Sequence, residues 1–162
     1  FDAIAREIAP RARALGMRVI AYDPFVAPDD PAWNRLAVTP CALTALLRAA
    51  DAVSVHVPLN DATRCLINAE ALAEMKPGAV LINSARGGVV DEQALAASLR
   101  AGHLAGALLD VFETEPLPAN SHWVGVPNVV LTPHIAGVTA ESNVRVSAMV
   151  AAAVRQALEE KA

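Results

Sequence analysis

Short apolar runs that alternate with helical patterns are the feature that most constrains the fold of this sequence. Five runs, at residues 19–22, 52–57, 79–82, 106–111 and 129–132, are almost entirely apolar. Such runs are typical of strands that are buried on both faces. No tight hairpin signal such as Asn-Gly joins two of them. The pattern predicts an α/β fold, in which helices cover both faces of a parallel sheet.

Helices are predicted from capping residues and apolar periodicity. Residues 3–15 show a helical period, and Pro10 inside this segment predicts a kink. Asn68 and Asp91 are suited to cap two further helices, and the chain is expected to be helical from Thr139 onwards.

The segment between the first two long runs is harder to interpret. Residues 26–35 are rich in Pro, Asp and Ala and are interpreted as a loop, with a brief edge strand at residues 36–38. Thr39 as cap and Pro40 at the first helical position predict that the next helix starts there.

Composition bounds the class of protein. The chain has 162 residues, 54% of them hydrophobic and 19% charged, which indicates one domain with a large core. The net charge is -4 and the basic residues are scattered, so we expect no nucleic-acid or membrane partner. Cys41 and Cys65 lack metal-ligand spacing, so no metal site is expected. A reduced, buried thiol pair suits a cytoplasmic protein.

Polar residues follow the predicted strands at Asp23, Arg86, Asp110, Glu115 and His134. Because parallel strands point the same way, we expect these residues to converge at one edge of the sheet, where open α/β sheets bind ligands.

Arg86 lies in the loop NSARGGVVD, where small residues on both sides leave its guanidinium free to bind a carboxylate with two hydrogen bonds. Taken alone, an ordinary surface arginine is an equally open interpretation. Glu115 is a candidate to orient His134, and a histidine held in this way can both donate and accept a proton. A lone histidine in this setting is otherwise more often structural.

Asp23 follows the strand at residues 19–22, where an acidic residue can bind both ribose hydroxyls of a dinucleotide and disfavour a 2′-phosphate. This position favours NAD over NADP. A plain Asp-Pro turn is the alternative.

Four motifs, HVPLNDATRCLIN, NSARGGVVDEQAL, GALLDVFETEP and VVLTPHIAG, resemble in sequence and order those of the D-isomer-specific 2-hydroxyacid dehydrogenases. The resemblance implies a Rossmann-type doubly wound parallel sheet that binds NAD. It also implies a small 2-oxo or 2-hydroxy acid substrate, held in a cleft against a second domain. Hydride would pass between the nicotinamide and C2 of the substrate, while His134 transfers a proton to or from the oxygen.

The resemblance also implies roles for single residues. Arg86 would bind the substrate carboxylate and carbonyl, and Glu115 would pair with the catalytic His134. On the cofactor side it implies contacts with the adenosine half, the ribose or the nicotinamide for Asp23, His56, Val57, Pro58, Thr63, Ala85, Asp110 and Gly137.

The start of the chain departs from the family pattern. The phosphate loop of the family reads Gly-x-Gly-x-x-Gly or Ala, and residues 1–5 fit this pattern only if Asp2 takes the place of the second glycine. A carboxylate there would repel the pyrophosphate. We therefore expect residues 1–138 to be an incomplete Rossmann domain that lacks its first strand. Residues 139–162 would be a helix that leads towards an absent substrate domain.

A fragment of this kind would be inactive alone, and an uncovered apolar stripe on its last helix would favour a homodimer. Two other functions stay open at this point. One is an NAD(H)-sensing module like the corepressor relatives of the family, and the other is a degenerate remnant that binds no cofactor.

Overall fold

The computed structural model describes residues 1–160, which alternate between helices and strands as the sequence pattern predicts. In chain order the elements are α1 (Ala3–Ala14), β1 (Ile20–Ala21), α2 (Pro31–Leu36), β2 (Thr39–Pro40), α3 (Leu43–Ala49), β3 (Ala52–Val55), α4 (Ala69–Glu74), β4 (Val80–Asn83), α5 (Glu92–Arg100), β5 (Gly106–Leu109), β6 (Val129–Leu131) and α6 (Ala140–Glu159).

Every strand pair is parallel, which confirms the predicted α/β class. β3, β4, β5 and β6 form one sheet in that order, and β1 and β2 form a separate pair. The usual order of a dinucleotide-binding sheet is 3-2-1-4-5-6. The two sheets fit this order if the central position between β1 and β3 belongs to a strand that residues 1–160 do not supply.

The main core lies where the helices cover the four-stranded sheet. Leu81 on β4 and Leu95 on α5 are completely buried, and Leu47 and Leu109 are nearly so. A smaller cluster under β1 and β2 is built on Trp33, which stacks on the ring of Phe1 with 4.9 Å between ring centroids. Burial alternates along β3, β4 and β5, so only one face of these strands is buried in this core. Apolar residues of the opposite face, such as Leu108 and Val130, are exposed in residues 1–160, which differs from the predicted burial of both faces.

The interpretation of residues 36–40 from sequence is wrong in two respects. Residues 36–38 are not a strand, because Leu36 ends α2. Thr39 does not cap a helix, because it pairs with Ile20 as part of β2. The N–H groups of Thr39 and Cys41 donate to carbonyls of the β1 segment at 3.1 and 2.9 Å. Pro40 lies between them, where its missing N–H leaves no gap in the ladder. Backbone pairing therefore outweighs a cap signal, and α3 begins at Leu43 without a side-chain cap.

Residues 26–35 are also not wholly loop. The Asp30 carboxylate accepts from the N–H of Ala32 at 2.7 Å, and Pro31 occupies the first turn of α2. A capping residue followed by proline is the helix-start signal that the sequence analysis assigned to Thr39 and Pro40. In the structure this signal operates at Asp30 and Pro31, at the start of α2.

The other predicted caps are confirmed. Asn68 and Asp91 each accept a backbone N–H at the start of α4 and α5. Thr139, where a helix was predicted to begin but no cap was assigned, caps α6 in the same way. α1 runs through Pro10. No residue of α6 between Ala140 and Glu159 is buried, and the last two residues of the predicted helix lie outside the described residues.

Candidate active site at the carboxyl edge of the sheet

The carboxyl ends of β3, β4, β5 and β6 lie side by side and lead to the candidate residues. β3 leads to His56, β4 to Arg86, β5 to Asp110 and Glu115, and β6 to His134. The register pairs Asn83 with Leu109, so the Arg86 loop and the Asp110 loop start at the same level. The sheet therefore brings Arg86, Asp110, Glu115 and His134 to one edge, whereas Asp23 follows β1 in the separate two-stranded pair.

Glu115 and His134 form a hydrogen-bonded side-chain pair at this edge. Oε2 of Glu115 lies 2.7 Å from Nδ1 of His134, and Oε1 accepts from the N–H of Phe112 at 2.9 Å. These bonds to His134 and Phe112 lower the pKa of the Glu115 carboxyl. With Nδ1 engaged, the Nε2 atom of His134 is left for a ligand, and the side chain is about half exposed.

The loop that presents His134 is fixed by a buried carboxylate. Asp110 accepts from the Thr132 hydroxyl at 2.5 Å and from the N–H groups of Ile135 and Ala136 at 2.9 and 2.8 Å. Burial opposes ionisation of Asp110, but these three bonds outweigh it and lower the pKa of the carboxyl. The three bonds of Asp110 hold the chain on both sides of His134. The φ of His134 is 56°, which is uncommon for a residue other than glycine.

The loop that presents Arg86 is held by Asn83 at the end of β4. The Asn83 side chain is buried, donates to the carbonyl of Arg86 at 3.0 Å and accepts from the N–H of Ala85 at 3.0 Å. Sequence reasoning missed Asn83, although a polar residue at the end of an apolar strand was the available signal. Asn83 binds only backbone atoms of Ala85 and Arg86, and the Arg86 side chain is exposed.

Gly87 joins the Arg86 loop to the segment before Glu115. A Cβ atom on Gly87 would lie 1.9 Å from the carbonyl oxygen of Phe112, closer than any side chain tolerates. Only glycine allows the two backbones to touch here. The two loops are thus in direct contact through their backbones.

Among the described residues, Arg86 forms no hydrogen bond or ion pair with Glu115 or His134. Its guanidinium donates to the neighbouring carbonyl of Ala85 at 2.5 Å. An open groove runs beside the Glu115–His134 pair and is lined by Phe112, Pro116, Leu117, Leu131, Thr132 and Pro133.

The segment after β3 is a compact loop closed by Thr63. Its hydroxyl donates to the carbonyl of Pro58 at 2.6 Å and accepts from the N–H of Asn60 at 2.9 Å. Nε2 of His56 lies 2.8 Å from the hydroxyl of Ser54. Burial lowers the pKa of His56, and the negative charge of Asp2 opposes this shift.

Asp23 and Asp2 mark the other end of this edge. The Asp23 carboxylate, partly buried at the end of β1, accepts from the N–H of Phe25 at 2.8 Å and contacts the α-amino group of Phe1. Asp2 caps α1, since its carboxylate accepts from the N–H of Ala5 at 2.8 Å. Gly137 lies on the exposed start of the chain into α6, with open space where a Cβ would lie.

Residues 1–160 contain neither a candidate metal-binding cluster nor a helix that could span a membrane. No group of three or more His, Cys, Asp or Glu side chains in this part of the chain could hold a metal ion. None of the helices described is both long enough and apolar enough to cross a membrane.

Comparison with known proteins identifies the family. Residues 1–136 match the family model of the D-isomer specific 2-hydroxyacid dehydrogenase, NAD binding domain. The chain is 60% identical over 158 residues to the (S)-sulfolactate dehydrogenase of Chromohalobacter salexigens, covering 98% of this chain and 51% of that enzyme. It is 44% identical over 153 residues to the D-3-phosphoglycerate dehydrogenase of Bacillus subtilis, covering 94% of this chain and 29% of that enzyme.

A solved structure agrees. The glyoxylate reductase from Paecilomyes thermophila superposes with a TM-score of 0.88 at 35% identity, over 96% of this chain and 46% of that one. The chain thus spans about half the length, or less, of the relatives that it matches. It belongs to the D-isomer-specific 2-hydroxyacid dehydrogenase family and matches the NAD-binding domain of that family.

Proposed function

We propose that the protein containing this chain is an NAD-dependent oxidoreductase that interconverts a 2-hydroxy acid of D configuration and its 2-oxo acid. The observation that carries the proposal is the Glu115–His134 pair, joined at 2.7 Å beside the loop of Arg86 on a domain of this family. An oriented histidine next to an exposed arginine supplies a proton shuttle and a carboxylate anchor.

The residues at the edge of the sheet fit NAD at both ends of the cofactor. Asp23 offers a carboxylate at the end of β1 for the ribose hydroxyls, and no arginine follows it closely, which favours NAD over NADP. The segment from His56 to Pro58, closed by Thr63, would lie along the adenosine half. The open space at Gly137 and the buried Asp110 fit the nicotinamide end, with Ala85 alongside.

Asp2 is the one position that does not favour the cofactor. Its carboxylate takes the N–H of Ala5, a group that can bind a phosphate at the start of a helix, and it adds negative charge there. We therefore expect weak NAD binding, which Asp2→Gly would strengthen.

In the proposed reaction bound NADH would supply the hydride. Residues of this chain would bind and orient the acid and transfer the proton. Arg86 binds the carboxylate of the 2-oxo acid and turns the carbonyl towards His134. Glu115 holds Nδ1 of His134, so that Nε2 donates the proton to the carbonyl oxygen. In the reverse direction Nε2 accepts that proton. Orientation and stabilisation of the developing charge account for the rate.

The test is turnover by the natural full-length protein on substrates of the named relatives. Oxidation of sulfolactate and phosphoglycerate by NAD, and reduction of glyoxylate by NADH, would be followed through the change in NADH. We expect turnover of at least one of these acids, and oxidation of only the D form of a chiral 2-hydroxy acid.

Variants of the arginine give the matched control. Arg86→Gln should lower kcat/KM by about a hundredfold or more, because a charged, two-point anchor is lost. Arg35→Gln removes an exposed arginine on α2 and should change nothing. Tight NADH binding without turnover of any acid would instead favour an NAD(H)-sensing module, and no binding even in Asp2→Gly would favour a remnant.

We further propose that the protein is a homodimer in the cytoplasm. The uncovered apolar side chains of α6, among them Val146, Met149, Val150 and Val154, support self-association. The two free cysteines, Cys41 and Cys65, support a reducing compartment. Sedimentation of the natural protein at several concentrations tests the dimer, and a monomer throughout would refute it.

A further inference from the structure

A buried carboxylate outside the proposed catalytic residues ties the start of α5 to the loop that carries Glu115. Glu92 is the first residue of α5, and only 7% of its surface is exposed. One oxygen accepts from the N–H of Glu113 at 2.6 Å, and the other accepts from the indole N–H of Trp123 at 3.1 Å. Glu92 therefore binds the connection between β5 and β6 at two points, Glu113 and Trp123.

A carboxylate in this position is costly to bury unless its oxygens are bonded. Glu113 is two residues before Glu115, and Phe112, on the other side of Glu113, donates its N–H to Glu115. The Glu92 bond thus fixes the backbone from which the Glu115 side chain reaches His134. Contact of Gly87 with Phe112 holds the same segment from the Arg86 side.

We propose that Glu92 is a positioning residue, which sets the geometry of the Glu115–His134 pair through the N–H of Glu113. The proposal builds on the proposed function of that pair. Glu92 is not one of the residues proposed to bind the substrate or the cofactor, so its effect on the reaction is expected to pass through Glu115.

The perturbation is Glu92→Gln, which keeps the size of the side chain but leaves one oxygen for two donors. The amide NH₂ must then face the N–H of either Glu113 or Trp123, and that donor loses its bond. We expect kcat of the natural full-length protein to fall about tenfold, because small displacements of catalytic groups have effects of this size. Affinity for NADH should be unchanged, since Glu92 forms its hydrogen bonds with Glu113 and Trp123, which are not proposed to bind the cofactor.

Trp123→Phe is the matched control. It removes the indole N–H but leaves the bond between Glu92 and Glu113 in place. We expect it to lower the melting temperature while kcat changes less than about twofold. An equal loss of kcat in Trp123→Phe would show that general loosening, and not the Glu113 bond, is responsible.

A double-mutant cycle tests whether Glu92 acts through Glu115. If it does, Glu92→Gln adds almost nothing to kcat in a protein that already carries Glu115→Gln. Full additivity of the two losses would overturn the proposal. If Glu92→Gln does not fold, Glu92→Asp, which keeps the charge but shortens the reach, enters the same cycle.

A readout that needs no turnover separates this inference from the proposed function. ¹⁵N chemical shifts of the His134 ring report which nitrogen carries the proton in the neutral form. We expect one tautomer, protonated at Nδ1, in the parent protein and a mixture in both Glu92→Gln and Glu115→Gln. A mixture in Glu115→Gln alone would refute the role of Glu92, whether or not the protein turns over any acid.

Discussion

Replacing Asp2 by glycine is the change expected to alter cofactor binding most. Asp2 takes the place of the second glycine when residues 1–5 are aligned with the Gly-x-Gly-x-x-Gly pattern of the phosphate loop, and its carboxylate caps α1 through the N–H of Ala5. A phosphate bound at this helix start would seek the same N–H and the same positive end of the helix. The carboxylate and the pyrophosphate therefore compete for one place.

The magnitude follows from electrostatics. Two unit charges about 4 Å apart repel by about 1 kcal/mol in water and about 4 kcal/mol at the dielectric constant typical of a protein surface. Since 1.4 kcal/mol corresponds to a factor of ten, Asp2→Gly should tighten NADH binding by about fivefold to several hundredfold. Glycine in place of a good cap costs only a few tenths of a kcal/mol, so the fold should be kept.

Asp2→Asn separates charge from hydrogen bonding. Asparagine caps a helix about as well as aspartate but is neutral, so it should give an intermediate gain in affinity. Titration calorimetry with NADH on the three proteins measures all of these effects. Equal dissociation constants in the parent protein and in Asp2→Gly would refute the competition.

Two further predictions concern the loops at the sheet edge. Gly87→Ala should lower the free energy of unfolding by about 3 kcal/mol in denaturant melts, because its Cβ would collide with the backbone of Phe112. Gly137→Ala, with open space around the new Cβ, should change this free energy by less than about 0.5 kcal/mol. The pKa of Glu115 is lowered by His134, so its stabilising effect is present above the ordinary glutamate pKa of about 4.3 and is lost as the pH falls through the lowered value. The difference in free energy of unfolding between the parent protein and Glu115→Gln should therefore disappear in melts at acidic pH. A difference that persists at acidic pH would contradict the stabilising role of the Glu115 carboxylate.

The strands and their parallel direction were predictable from local sequence. The apolar runs alternate with helical patterns, and no hairpin signal joins two of them. β3, β5 and β6 fall within predicted runs and β4 extends one residue beyond its run, to Asn83. Asn68 and Asp91 cap helices as expected. In each case a local signal and the tertiary fold favour the same structure.

Residues 36–40 were not predictable in this way. A Thr-Pro pair fits a helix start and an edge strand equally well, and the choice depends on whether the carbonyls of the β1 segment are available. That information lies about twenty positions away along the chain. Tertiary pairing therefore decided the structure where the local signals were ambiguous.

For the candidate site, the sequence predicted the residues at the strand ends but not what holds them. The Glu115–His134 pair was expected, and it is present at 2.7 Å. The supports from Asn83 and Glu92 are contacts to backbone atoms of other segments, which no local pattern encodes. The sequence also could not show how tightly Asp2 caps α1.

The most direct test of the central claim is single-turnover reduction of an accepted 2-oxo acid by the natural full-length protein carrying His134→Asn. If Nε2 of His134 gives the proton, NADH and the acid should bind within about twofold of the parent affinities. Hydride transfer should be slowed by about a hundredfold to ten-thousandfold. Transfer at the parental rate in this variant would contradict the assignment of His134 and, with it, the proposed reaction.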